Sequence, residues 1–142
     1  MDRYSRENVL RIEDNDPNFT SLMIGGGVDA DIDANFVSSR DGHFNRLGTY
    51  IGTNTHIKEL EIDFDSCRAM NATDTAFFGG LTRNTSINKL VLRFGRFGVG
   101  QVGQEILRAY QENNSHLHIS ILNSVEYMRI LPIWTIKPLP QL

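Results

Sequence analysis

The sequence has little of several features that mark common protein classes. Cys67 is the one cysteine among 142 residues, so no disulfide can form within the chain, which suits a reducing compartment. Lysine and arginine total 14 against 17 acidic residues, a formal net charge of −3. Without a basic excess, we expect no nucleic-acid partner.

Long hydrophobic runs are also missing. Residues 1–7 hold no apolar signal segment, and no run of about 18 apolar residues could span a bilayer. The composition, 40% hydrophobic and 22% charged, is neither disordered nor fibrous. We therefore expect a folded, soluble, intracellular protein of the cytoplasm with no membrane partner.

A repeated phrase is the main feature that the sequence does contain. Residues 54–62 recur almost intact at residues 84–92, a step of 30 residues. An eroded copy follows at 114–121, and an earlier copy at 18–24 precedes the second by a step of 38. The sequence thus predicts a repeat array of about four units, with one longer spacer.

Each phrase follows a pattern typical of a helix. Apolar residues stand seven positions before each repeated asparagine, at Leu47, Phe77 and Leu107. Ile51 and Leu81 stand three positions before it. Apolar residues at this spacing share one helix face, which predicts that this face packs into a core.

The last and first units vary this helical pattern. Gln111 replaces the apolar residue of the last unit, and Tyr110 beside it is expected to pack instead. A first helix, roughly residues 6–13, should place Val9, Leu10 and Ile12 on its inner side. The N-caps expected for the second and third helices are Asp41 and Asp74.

Each strand alternates apolar and polar residues. Leu60 and Ile62 alternate with Glu61 and Asp63, which predicts an apolar pair facing inward and a polar pair facing outward. One unit cannot cover its own apolar face, so neighbouring units must stack. We predict an α/β solenoid, with parallel strands on the concave side and helices on the convex side. Its units lie near 6–24, 41–62, 74–92 and 104–122, with an acidic loop at 25–40 and a tail at 123–142.

This spacing resembles the leucine-rich-repeat family, ribonuclease-inhibitor-like type. Three triplets over residues 6–122 carry the resemblance: Ile57/Leu60/Ile62, Ile87/Leu90/Leu92 and, more loosely, Phe19/Leu22/Ile24. The family's usual asparagine or cysteine after the strand is missing, because Asp65 or Ser66 stands there in one unit and Gly95 in the next. The resemblance implies a protein partner. We predict a non-enzymatic interaction module with no cofactor, which binds its partner through the concave sheet face or the edge loops.

The expected binding residues are outward positions of two strands: Glu59, Glu61, Asp63, Lys89, Val91 and Arg93. The 30-residue step places Glu59 opposite Lys89 and Asp63 opposite Arg93. Two interpretations stay open and are compatible. The charges satisfy one another along the sheet, or they meet a partner of complementary charge.

The loop from Gly98 to Gly103 supports a nucleotide-binding alternative. Its G-x-G-x-x-G pattern stands between a predicted strand and a predicted helix, as in dinucleotide-binding folds. However, residues 95–97 separate the glycines from the strand, and the equivalent loop at 64–75 lacks them. We favour a tight strand-to-helix loop.

Other candidate ligands have weaker patterns. Asp29, Asp31 and Asp33 resemble the start of a calcium loop, but Ala34 and Arg40 occupy the positions that require glycine and glutamate. The four histidines show no metal spacing, and Cys67 is interpreted as a bystander thiol. We predict no metal site.

The apolar tail leaves further alternatives open. Residues 130–139 follow neither a helix nor a strand period, so they form a terminal cap, a surface for self-association, or an artefact of a truncated reading frame. A third functional hypothesis is a fragment of a longer repeat array without independent function.

Overall fold

The computed structural model describes residues 3–25, 36–37, 41–63, 75–94, 101–123 and 134–136. Its helices are α1 (Arg3–Glu13), α2 (Asp41–Thr53), α3 (Thr75–Leu81) and α4 (Gln101–Glu112). Its strands are β1 (Ser21–Gly25), β2 (Phe36–Val37), β3 (Glu59–Asp63), β4 (Lys89–Phe94), β5 (His118–Asn123) and β6 (Trp134–Ile136). Each of the four predicted units therefore contributes one helix and one strand. None of these helices is long and apolar enough to cross a membrane.

The strands form one sheet in the order β2-β1-β3-β4-β5-β6. The strands β2, β1, β3, β4 and β5 are parallel, and β6 is antiparallel to β5. Leu60 lies opposite Leu22 on one side and Leu90 on the other, which confirms the steps of 38 and 30 residues. Leu90 lies opposite Ile119, a step of 29, because the turn before β5 is one residue shorter.

The core lies between the sheet and the helices. Alternate strand residues are buried: Leu22, Ile24, Leu60, Ile62, Leu90, Leu92, Ile119 and Ile121. The predicted helix positions Leu47, Phe77 and Leu107 join them in one apolar cluster, and so does Tyr110. Complete burial of such a side chain stabilises the fold by about 1.5–3 kcal/mol. The α/β fold with parallel repeat strands is therefore as predicted.

The first helix corrects one expectation. Val9 and Ile12 are buried as predicted, but Leu10 is 56% exposed. The buried positions of α1 are Ser5, Asn8, Val9 and Ile12, which follow the spacing of one helix face. Leu10 lies about 100° from Val9 around the axis, since an α-helix has 3.6 residues per turn, and so falls outside that face.

The helices α2 and α3 approach each other through their backbones. A Cβ atom added to Gly48 would lie 2.6 Å from the carbonyl oxygen of Phe77. Added Cβ atoms on Gly52 and Gly80 would also clash with backbone atoms of the facing helix. No side chain larger than hydrogen fits at these three positions without movement, so the glycines set the spacing between the two middle units.

Four phenylalanines connect β2 to this helix pair. Phe36 of β2 meets Phe44 edge-on at 5.4 Å between ring centroids, and Phe44 meets Phe77 at 6.5 Å. Phe77 in turn meets Phe78 at 5.6 Å. Edge-to-face pairs of this kind add to the free energy of burial alone. Phe36 thus anchors a strand of only two residues.

The tail contributes a strand to the sheet edge. Trp134 pairs with Ile121 and Ile136 with Ile119. Pairing covers backbone groups of β5 that would otherwise be exposed at the edge of the sheet. The other tail residues lie outside the described part of the chain, as do the predicted cap Asp74 and most of the 25–40 loop.

Candidate functional site

The turns between helix and strand are fixed by buried asparagines. The Oδ1 of Asn54 accepts hydrogen bonds from the backbone N–H groups of His56 and Ile57, both at 2.8 Å. Its Nδ2 donates to the carbonyl oxygen of Ile12 in the preceding unit, at 3.1 Å. Asn54 is only 3% exposed, so these bonds form in a low-dielectric setting. One side chain therefore shapes its own turn and ties it to the previous unit.

Asn84 repeats this arrangement 30 residues later. Its Oδ1 accepts from the N–H groups of Ser86 and Ile87, at 2.7 and 2.8 Å. Its Nδ2 donates to the carbonyl oxygens of Ile51 and Asn54, at 2.6 and 2.9 Å. We call Asn54 and Asn84 the asparagine ladder. It lies before each strand, whereas the leucine-rich-repeat pattern places its asparagine after the strand.

An aspartate occupies the corresponding position of the first unit. Asp16, 38 residues before Asn54, accepts from the N–H of Asn18 at 2.9 Å, as the ladder asparagines do from the residue two positions on. Arg11 donates to its other oxygen at 2.8 Å. The hydrogen bond from Arg11, with that from Asn18, lowers the pKa of the Asp16 carboxyl. At this position the first unit therefore has a hydrogen-bond acceptor but no side-chain amide that could donate to another unit.

The ladder fixes a row-by-row register on the sheet face turned away from the helices. Glu59 lies opposite both Ser21 and Lys89, and Glu61 lies opposite both Met23 and Val91. Asp63 lies opposite Arg93, as the repeat step predicts. We define the open face by these outward residues and their neighbours on β5: Ser21, Met23, Glu59, Glu61, Asp63, Lys89, Val91, Arg93, His118 and Ser120.

One ion pair on the open face joins diagonal neighbours. The Nε of Arg93 lies 3.4 Å from Oε2 of Glu61, although the residue directly opposite Arg93 is Asp63. Diagonal neighbours in a sheet are within reach of long side chains. Among the described residues, no ion pair joins Glu59 to Lys89. The charges are thus only partly satisfied along the sheet.

Asp63 corrects the expectation of an exposed residue. Its outward position holds, but it is only 8% exposed. Its side chain is one methylene shorter than that of glutamate, which keeps the carboxylate near the backbone. Glu59 and Lys89 are exposed, and Glu61, Val91 and Arg93 are half-buried. These five are the predicted site residues that a partner could touch.

The open face carries two charged columns side by side. The β3 column is acidic, with Glu59, Glu61 and Asp63, and the β4 column holds Lys89 and Arg93. Adjacent strands lie about 4.7–4.9 Å apart, so opposite charges alternate across a short distance. Opposite charges at this spacing are complementary to a surface that carries the reverse pattern.

A shallow depression lies where β1, β3 and β4 meet on this face. Met23, Glu59, Glu61, Lys89 and Val91 are among its lining residues, and its volume is about 90 Å³. Small-molecule pockets usually measure about 300–1,000 Å³. The depression suits a single side chain of a macromolecular partner better than a cofactor.

The rival motifs fall largely outside the described residues. Residues 98–100 of the glycine loop, the aspartates at 29, 31 and 33, and Cys67 all lie there. The backbone of Gly103 belongs to the first turn of α4. No group of three or more possible metal ligands occurs within the part of the chain that is described.

Two features escape sequence reasoning. The asparagines are visible as part of the repeated phrase, but the pattern does not show that their amides reach the preceding unit. A groove between α1 and α2, lined in part by Leu10, is the second feature. Its one signal is that Leu10 is out of phase with the apolar face of α1.

Comparisons with known proteins give the chain no family. No family model matches it, and no curated protein matches it. Among solved structures, the chain is similar to one described as leiomodin-1 actin-binding site 2, with 14% sequence identity and a TM-score of 0.44. The match covers 92% of this chain and 86% of that chain. A similarity of this degree assigns neither a family nor a partner.

Proposed function

We propose that the chain is a leucine-rich-repeat-type solenoid that binds a protein partner through the open face, without catalysis. The observation that carries this proposal is the register of the outward side chains. Four parallel strands present polar residues in rows, and the asparagine ladder ties the first three of their units together. A rigid surface loses little conformational entropy on binding, which favours recognition.

The charges on the open face support binding to a specific partner rather than non-specific adhesion. Glu59 and Lys89 are both exposed and lie opposite each other without forming an ion pair among the described residues. Each is therefore available to a partner that presents the opposite charge. Val91 and Met23 lie next to them and add half-buried apolar area, which suits an interface core rimmed by charge.

The proposal is tested by exchanging charges without changing their sum. The double variant Glu59→Lys, Lys89→Glu keeps the net charge and inverts the pattern on the open face. Affinity purification from a native lysate, with quantitative mass spectrometry, would compare it with the unchanged chain. We expect a partner retained by the unchanged chain to be lost by the double variant.

A matched control alters a charge elsewhere. Arg83 is exposed in the turn after α3, so Arg83→Glu should leave the partner bound. A partner that survives the double variant, or is lost equally in Arg83→Glu, contradicts binding through the open face. Circular dichroism of each variant separates lost binding from lost fold.

A further inference from the structure

A groove on the helix layer offers a surface distinct from the open face. It lies between α1 and α2 and has a volume of about 190 Å³. Its lining residues are Arg6, Val9, Leu10, Glu13, Arg46 and Tyr50. An apolar groove between two helices is a common binding site for an apolar side chain of a partner protein.

The floor of this groove is apolar and partly uncovered. Leu10 is 56% exposed, and it is one of two large hydrophobic residues of the described chain with such exposure. Tyr50 is half-buried and packs against the core, so its position is fixed. A ligand that covers Leu10 removes apolar surface from water. Little conformational entropy is lost, because the residues beneath Leu10 are already packed.

The rim of the groove is cationic. Arg6 and Arg46 are both exposed. Arg3 pairs with Glu7, Arg11 with Asp16 and Arg93 with Glu61, and none of these three ion pairs includes a groove arginine. The arginines on either side of Arg6 in α1 thus have acidic partners, whereas Arg6 has none in the described part. Glu13 is the single acid of the lining, so a net positive groove occurs on a chain with a net charge of −3.

We propose that this groove binds an acidic amphipathic helix of a partner protein. One large apolar side chain of that helix covers Leu10 between α1 and α2. Carboxylates of that helix meet Arg6 of α1 and Arg46 of α2, whose guanidinium groups can each hold a carboxylate with two parallel hydrogen bonds. The groove does not share residues with the open face, so this interaction is independent of the function proposed above.

A displayed library of random peptides, selected on the full chain, tests the proposal without assuming a sequence. The expected enriched peptides place leucine or phenylalanine between aspartates or glutamates. Their affinity should fall at least about tenfold on the double variant Arg6→Glu, Arg46→Glu and on Leu10→Ser, since central contacts dominate binding. Because both changes are at exposed positions, circular dichroism and the unfolding midpoint should stay close to those of the unchanged chain.

Two controls separate this groove from other surfaces. The variant Arg83→Glu reverses an exposed arginine elsewhere, and the pair Glu59→Lys, Lys89→Glu alters the open face. Neither should change peptide affinity. The proposal is overturned if no peptide is enriched, if enriched peptides lack acidic residues, or if they bind the groove variants normally. A concentration-dependent dimer that disappears in the groove variant would assign the groove to a second copy of the chain instead.

Discussion

The turn at Asn84 and the turn at Asn114 start from the same residue type but bond differently. The Nδ2 of Asn84 donates to two carbonyl oxygens of the preceding unit, those of Ile51 and Asn54. The Nδ2 of Asn114 donates to the carbonyl oxygen of Tyr110 in its own unit, at 2.8 Å. The asparagine amide of the middle turn therefore links two units, whereas the amide of the last turn bonds within its own unit.

The hydrogen bonding of buried polar side chains also differs between the middle units and the last unit. The position three before the asparagine is Ile51 or Leu81 in the middle units and Gln111 in the last one. The Nε2 of Gln111 donates to the carbonyl oxygen of Leu117, but its buried Oε1 has no partner among the described residues. The buried hydroxyl of Tyr110 has none either. Such groups cost free energy, so the last unit should be the less stable end of the sheet.

The largest expected effect is the loss of a ladder asparagine. Asn84→Ala removes five side-chain hydrogen bonds and leaves buried N–H and C=O groups without partners. We expect a loss of about 3–5 kcal/mol in the free energy of unfolding, against about 1–2 kcal/mol for Asn114→Ala. Urea denaturation of both variants measures the difference. Equal losses would remove the distinction between middle and last units.

The helix contact between the middle units gives the next effect. Gly48→Ala pushes a methyl group against the Phe77 carbonyl and should cost about 1–3 kcal/mol. Gly79→Ala, in α3, meets nothing within 4 Å and should stabilise by about 0.5–1 kcal/mol through higher helix propensity. Thermal melting of the two variants compares them. A destabilising Gly79→Ala would show that the two glycines do not differ as the geometry requires.

Tyr110 supplies a pH-dependent effect in the last unit. Burial raises the pKa of its phenol above the ordinary 10.0. Its folded form therefore keeps the proton at a pH where the unfolded form loses it, and stability should fall as pH rises above about 10. Tyr110→Phe should remove that part of the alkaline fall and add roughly 1 kcal/mol at neutral pH, since the unpartnered hydroxyl is gone. An unchanged alkaline slope in urea denaturation at pH 9 to 11 would contradict this role.

Gln111→Leu tests the same end with the smallest expected change. The substitution gives the last unit the same residue that the third unit has at the equivalent position, Leu81. It removes a buried, unpartnered oxygen but also the hydrogen bond to Leu117, so we expect a gain of less than about 1 kcal/mol. Chemical denaturation measures it. A loss above about 1 kcal/mol would mean that the Gln111 hydrogen bond outweighs its unpartnered oxygen.

The repeat spacing predicts which strand residues lie opposite each other in the sheet, because the alternation of side chains and the length of each unit can both be read from the local sequence. Leu60, placed between Leu22 and Leu90, follows from spacing alone, and so do the opposite positions of Glu59 and Lys89. The extra strand from the tail could not be located in this way, since its pairing depends on a partner strand far along the chain. Whether the array curves as a solenoid, and where its domain boundaries lie, remain predictions from the sequence.

Charge partners were harder to predict than positions. Asp63 lies opposite Arg93, as predicted, but the repeat step does not predict the diagonal ion pair of Glu61 with Arg93, because side-chain length decides reach within a sheet. The exposure of Leu10 was also missed, since apolar character does not by itself place a residue on the inner helix face. Both errors concern side-chain direction, which the backbone pattern leaves open.

Site-specific photocrosslinking tests binding through the open face most directly. A photoreactive amino acid would replace Val91 on the open face in one variant and Arg83 in another. The account predicts a covalent adduct with a partner protein from Val91 and none of the same mass from Arg83. The same adduct from both positions, or an adduct from Arg83 alone, would contradict the assignment of function to the open face.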